Sequence, residues 1–131
     1  MGYSNARAIA ANDALISTIT KIEFYTANYG TLLGSTNATF GASAMQSNLA
    51  VANLQSTPIA DTWDASGTVG SVRCRNASDV VVIERSDANA VGLSNSTTAF
   101  IRLSSLSAVA GGAYNITSGT HSFDSRMENE S

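Results

Sequence analysis

Apolar and polar residues alternate without a break in Lys21-Ile22-Glu23-Phe24-Tyr25-Thr26. A period of two sets Ile22 and Phe24 on one side and Lys21, Glu23 and Tyr25 on the other, the pattern of a half-buried strand. The preceding segment has a different period. From about Ala6 to Leu15, Ala8, Ala11 and Leu15 recur at helical spacing with Ile9 and Ile16 beside them, and Asn5 stands where an N-cap belongs. Alanine favours that helix, although so short a segment needs packing to persist. Beyond Thr26 the apolar stretches stay short. Thr31 to Leu33, Ala38 to Phe40, Asn48 to Leu54, Thr97 to Leu103, Ala113 to Thr117 and His121 to Phe123 are candidate strands. Asn28-Tyr29-Gly30 and Gly34-Ser35-Thr36-Asn37 supply turn residues between them.

Three stretches carry more specific expectations. Ser66 to Arg75 predicts one long strand in which glycines mark bulges or close backbone approaches. Val80-Val81-Val82-Ile83 is a continuous apolar run, fit for a strand covered on both faces. Pro58, the sole proline, belongs at a sheet edge or a bend. Many short strands with turn residues between them and no sequence repeat predict an all-β sandwich or barrel. The expected architecture is a single β-sandwich or jelly-roll-like domain over residues 18–123, led by a short helical arm over 1–17. Residues 124–131 form a polar, acidic tail, read either as a frayed end or as an arm that grips a neighbour.

Composition narrows the function more than the fold. The 131 residues make about one domain, and the hydrophobic fraction of 44% argues against wholesale disorder. Charged residues are only 13% of the chain, so Ser, Thr, Asn, Ala and Gly fill the surface. The net charge of −3, with seven scattered basic residues, offers no field for nucleic acid, and none is expected as a partner. The opening residues lack the build of a signal peptide, and no apolar run reaches membrane-helix length. The expectation is synthesis in a cytoplasm and no membrane partner.

Candidate chemistry is thin, and no enzyme activity, metal or cofactor is expected. Cys74 has no partner for an internal disulfide and shares a strand face with Val72, which predicts a buried, inert thiol in preference to a reactive one. His121 is the only histidine, and no nucleophile elbow accompanies it or Asp124. Asp61 and Asp64 flank Trp63, a pattern shared by glycosidase acids and by ordinary turns. Sugar binding through Trp63 and exposed tyrosines is the stronger form of that idea. Gly67-Thr68-Val69-Gly70 lacks the Lys-Ser/Thr and the helix of a phosphate loop. The five Asn-x-Ser/Thr triplets, at Asn37, Asn76, Asn95, Asn115 and Asn129, reflect a Ser/Thr-rich composition.

Two segments together resemble a known group. Asp64-Ala65-Ser66-Gly67-Thr68 followed by Val72-Arg73, and Gly111-Gly112-Ala113-Tyr114-Asn115-Ile116-Thr117-Ser118-Gly119-Thr120 near the end, are similar to segments of small structural proteins of tailed bacteriophages. The opening helix, the Ile22-Glu23-Phe24-Tyr25-Thr26 strand and Leu32-Leu33 match in order. The sequence departs where Asn76-Ala77-Ser78-Asp79 replaces the usual Asp-Gly turn. The resemblance implies a virion protein on the capsid surface: a head decoration or cement protein, homotrimeric, whose partner is the major capsid protein. A collar, tail or fibre component, or a carbohydrate-binding adhesive module, are the alternatives. Contact candidates are Trp63, Phe100 and Arg102. Strand parity sets Ile101 and Leu103 on one face and Phe100 with Arg102 on the other, leaving Phe100 either for a partner or for a loop of its own chain.

Overall fold

The computed structural model, which describes residues 4–124, is 49% strand and 12% helix. The protein is accordingly an all-β, sandwich-like domain with one N-terminal helix. Helix α1 (Asn5–Ile16) is followed by β1 (Ile19–Tyr25), a 3-10 turn (Ala27–Tyr29), β2 (Leu32–Asn37), β3 (Ala44–Gln46), β4 (Leu49–Asn53) and β5 (Ile59–Thr62). Then come β6 (Gly67–Thr68), β7 (Ser71–Asn76), β8 (Val81–Arg85), β9 (Val91–Leu93), β10 (Ile101–Leu103), β11 (Ser107–Ala108) and β12 (Ala113–Asp124).

One sheet has four strands in the order β2-β1-β7-β8, all antiparallel. Its register writes the core directly. The rows Thr36–Ile22–Cys74–Ile83 and Gly34–Phe24–Val72–Arg85 run across the inner face, and Ser35–Glu23–Arg73–Glu84 runs across the outer one. The alternation at Ile22 and Phe24 therefore reads correctly, and both side chains are fully buried. The second sheet, β3-β4-β12-β10-β9, is organised by β12, whose first half pairs with β5 and whose last half pairs with β4. The segments Ala113 to Thr117 and His121 to Phe123, expected as two strands, are this one strand. Phe24 of the first sheet meets Trp63 and Tyr114 edge-on at 5.8 and 5.9 Å, which places the core between the two sheets.

Several local expectations are corrected. The helix is capped by Ser4, whose Oγ accepts from the Arg7 N–H, and not by Asn5. Its buried stripe is Ala8, Asn12 and Ile16, while Leu15 is 37% exposed. Gly34 to Asn37 is strand and not turn, because a glycine is needed where a Cβ would lie 3.0 Å from Cε3 of Trp63. Ala38 to Phe40 makes only an isolated bridge, Phe40 to Leu54. Ser66 to Arg75 breaks into β6 and β7 at Gly70, where the chain crosses against the backbone of Ala27. Val80 to Ile83 is not covered on both faces: Val80 is 56% exposed, Val81 and Val82 are half-buried and only Ile83 is buried. Pro58 follows a cis peptide bond and leads into β5. The turn at Asn76 to Asp79 is closed by Asn76 Oδ1, which accepts from the N–H groups of Ser78 and Val80. The tail proposed as a frayed end or an arm lies, apart from Asp124, outside the described residues.

Candidate functional site

Two surfaces meet at β8. The first is the outer face of the four-stranded sheet. Parity sends Lys21, Glu23 and Tyr25 outward from β1, Arg73 and Arg75 from β7, and Glu84 from β8. Arg73 lies over the rings of Tyr25 and Tyr29 at 5.1 and 4.3 Å and pairs with Glu84 at 3.1 Å. Tyr25 donates to Glu23 at 2.7 Å, and Glu23 also accepts from Arg75 at 2.7 Å. Asp79 completes the chain with Lys21 at 3.2 Å and Arg75 at 3.9 Å. Three of the seven basic residues are thus matched on one face by three acids, so the face is ordered and polar without being a basic patch. Burial tends to raise the Glu23 carboxyl, but the Arg75 and Tyr25 hydrogen bonds outweigh it and hold it below the ordinary carboxylate range. The same Glu23 bond raises Arg75.

The second surface is a groove of about 710 Å³ under the same strand. Its walls include Val82, Ile83 and Arg85 of β8, Leu49 and Val51 of β4, and Leu15 at the end of α1. Its floor includes Phe100, Arg102, Thr120 and His121. Arg85 occupies the inner-face row beside Val72, where an apolar residue would close the core. Instead its guanidinium extends over the Phe100 ring at 5.7 Å and makes a forked pair with Asp87 at 3.0 and 2.7 Å. That pair holds the Asp87 carboxyl down at about 2. Arg102 is different. Its Nη1 donates to Ser118 Oγ at 2.9 Å, its buried Nε has no acceptor, and no carboxylate among the described residues pairs with it.

His121 is oriented from the helix. Asn12 Nδ2 lies 3.2 Å from the carbonyls of both Ala50 and His121, and carbonyls only accept, so Oδ1 must face the imidazole and Nδ1 must carry the proton. Burial, with the Arg85 charge adding, lowers the His121 pKa and keeps the ring neutral. Its Phe100 neighbour meets it edge-on at 5.9 Å. This is a positioned hydrogen-bonding ring; no serine or carboxylate is hydrogen-bonded to it among the described side chains. Groups of three or more His, Cys, Asp or Glu that could hold a metal are absent among the described residues.

The three contact candidates therefore fare differently. Arg102 lines the groove, with no carboxylate partner among the described residues. Phe100 is 1% exposed and stacked on Phe40, so it packs within its own chain and forms the groove's floor and not a protruding anchor. Trp63 is 3% exposed and stacked 3.9 Å from Tyr114, which leaves no indole face on which a sugar could lie. Asp61 and Asp64 flank a closed ring, and Asp61, within β5, accepts from the N–H of Thr62. Gly67 and Gly70 sit against Leu33 and Ala27 as close-approach glycines. The Arg73–Tyr25–Tyr29 cluster and Arg85 were not singled out from sequence. Parity placed Arg73 opposite Val72 and Cys74, yet only the pairing of strands some fifty residues apart joins it to Tyr25. Compared with known proteins, the chain matches no family model, no curated protein and no solved structure.

Proposed function

We propose that this chain is a structural protein of a virus particle: a decoration or cement protein that binds the outside of a tailed-phage head as a homotrimer and stabilises it by bridging capsomers of the major capsid protein. The observation that carries the proposal is the pairing, on one side of a small charge-poor domain, of an ordered Arg–Tyr face with an open strand edge. Arginine and tyrosine dominate the energetics of protein contacts, and an open edge offers backbone groups to a neighbour. The resemblance of the Asp64 to Arg73 and Gly111 to Thr120 segments to small phage structural proteins supplies the identity of the partner. A protein that binds the assembled shell and not its separated subunits stabilises the shell by mass action, and several weak contacts held by one oligomer add up to firm occupancy.

The test uses purified heads that lack the chain. Adding it should saturate the heads at many copies per particle and raise their rupture temperature, and light scattering of the free protein should give the mass of a trimer. Binding at a few copies per particle would instead favour a collar, tail or fibre component. A monomer that neither binds heads nor raises their rupture temperature refutes the proposal.

A further inference from the structure

We propose that the groove under β8 receives an extended peptide segment of a protein partner, which adds to the free edge of β8 as a fifth strand and sets an acidic side chain against Arg102. The inference stands whatever assembly the partner belongs to. It begins with the edge itself. β8 is the last strand of a four-stranded sheet, and its Val-Val-Ile-Glu-Arg sequence contains no proline to block pairing on the open side. Exposed edges of this kind are templates for another chain.

The space beside the edge fits a strand. β8 of one sheet and residues of β4, β10 and β12 of the other line the same groove. At about 710 Å³ the groove falls within the roughly 300–1,000 Å³ typical of ligand sites. A strand added to β8 turns every second side chain toward that groove.

The lining then specifies the segment. Leu15, Leu49, Val51 and Val82 make one part apolar, and Leu15 and Leu49 are among the larger exposed hydrophobic side chains of the domain. Arg85 is already neutralised by Asp87. Arg102 lines the groove as a guanidinium with no carboxylate partner among the described residues, its Nη1 donating to Ser118 Oγ. A carboxylate brought into the groove would supply the missing countercharge. The matching segment is apolar at one position and acidic two positions along. Residues 1–3 and 125–131 contain no such step, so those two segments do not match the lining. Two copies paired β8 to β8 about a two-fold axis would keep Ile83 and Arg85 on the groove side and bring no acid to Arg102.

A fluorescent synthetic peptide of alternating threonines with one Leu-Thr-Asp step is the probe, read by anisotropy and by hydrogen exchange of the backbone amides. Binding should slow exchange of amides within Val81–Arg85. It should weaken about tenfold or more when the peptide's Asp is replaced by Asn or when the protein carries R102Q. Methylating alternate peptide nitrogens should abolish binding in one of the two possible phases, because a strand uses every second N–H on its neighbour. R102K, which keeps the charge but not the forked guanidinium, guards against a folding defect in R102Q and should bind between the two. Binding that ignores both Arg102 variants, protection at β2, β3 or β9 instead of β8, or no binding at millimolar peptide would each overturn the proposal. So would concentration-dependent protection of β8 in the protein alone, which would assign the edge to a second copy.

Discussion

Asn12 does for the helix what apolar packing alone does not: it fixes where along the sheet the helix sits. Its amide meets the carbonyls of Ala50 on β4 and His121 on β12, and Ser43 Oγ at 2.9 Å, while Asp13 accepts from the N–H and hydroxyl of Ser43. A buried amide with this many fixed partners tolerates little sliding. The same contact determines the tautomer of His121 and holds a neutral imidazole in a partly buried site. Its consequence for stability follows from the direction of the pKa shift. In the unfolded chain the ring titrates near its ordinary value of about 6.5. In the folded protein its pKa is lower, so the unfolded state takes up the proton first. The stabilising contribution is complete above that value and is lost as pH falls from about 6.5 toward the folded pKa. Urea titrations between pH 7 and pH 5 should show falling stability, and H121Q should flatten that part of the profile. An equal slope in the variant would remove His121 as the cause. The further loss expected on acidification below the carboxylate range belongs to Glu23 and Asp87, both held ionised by arginine partners.

At the scale of elements, the chain is shaped by where two segments must come unusually close. Gly70 separates β6 from β7, and a Cβ there would lie 3.0 Å from both N and Cα of Ala27. The obstacle is backbone of the 3-10 turn, which cannot swing aside as a side chain would. G70A should therefore cost about 1–3 kcal/mol, the usual range for overpacking. Denaturant midpoints at constant slope would measure it, and a loss within experimental error would show that the turn yields. This kind of contact explains which elements could be read from sequence and which could not. Alternation at Ile22 and Phe24 was legible because each strand there meets the core on a single face. Gly34 looked like a turn residue, since nothing local reveals that Trp63, nearly thirty positions away, needs its missing side chain. The valine run suggested a strand covered on both faces because composition cannot say what packs over it; only Ile83 is buried, and Val80 stands exposed. The helix was legible as an element but not in its orientation, because a buried stripe centred on Asn12 is polar at the position a hydrophobic count discards. Of the groove, Arg102 was legible from parity. Arg85 was not, since it occupies an inward position normally apolar, and only the neighbouring row identifies it.

The whole molecule is held by one core, and this has a measurable consequence. The buried cluster runs without interruption from Ile16 at the end of the helix, through Ile22, Phe24, Val72 and Cys74 of the four-stranded sheet, to Trp63, Phe100, Tyr114 and Ile116 opposite. β12 alone joins β4, β5 and β10, and α1 is tied to β4 and β12 through Asn12. No element can leave without opening this cluster or breaking a strand that others depend on, so the domain should unfold as one cooperative unit. Two natural probes report on opposite walls of the same core. Trp63, the only tryptophan, is stacked on Tyr114, and its emission should shift sharply to longer wavelength when the core opens. Cys74, the only cysteine, is fully buried, and burial, with the Glu23 charge adding, pushes its thiol up to about 12. At neutral pH it is both shielded and protonated, and a thiol reagent needs an accessible thiolate. Labelling of Cys74 should accordingly be negligible in the folded protein and should rise with denaturant in step with the Trp63 emission and the far-ultraviolet circular dichroism. Coincidence of all three transitions identifies a single unit. Labelling that precedes the loss of Trp63 burial would mean that the four-stranded sheet opens on its own, with the β8 edge as the natural place for it to begin, and the one-core description would then be wrong.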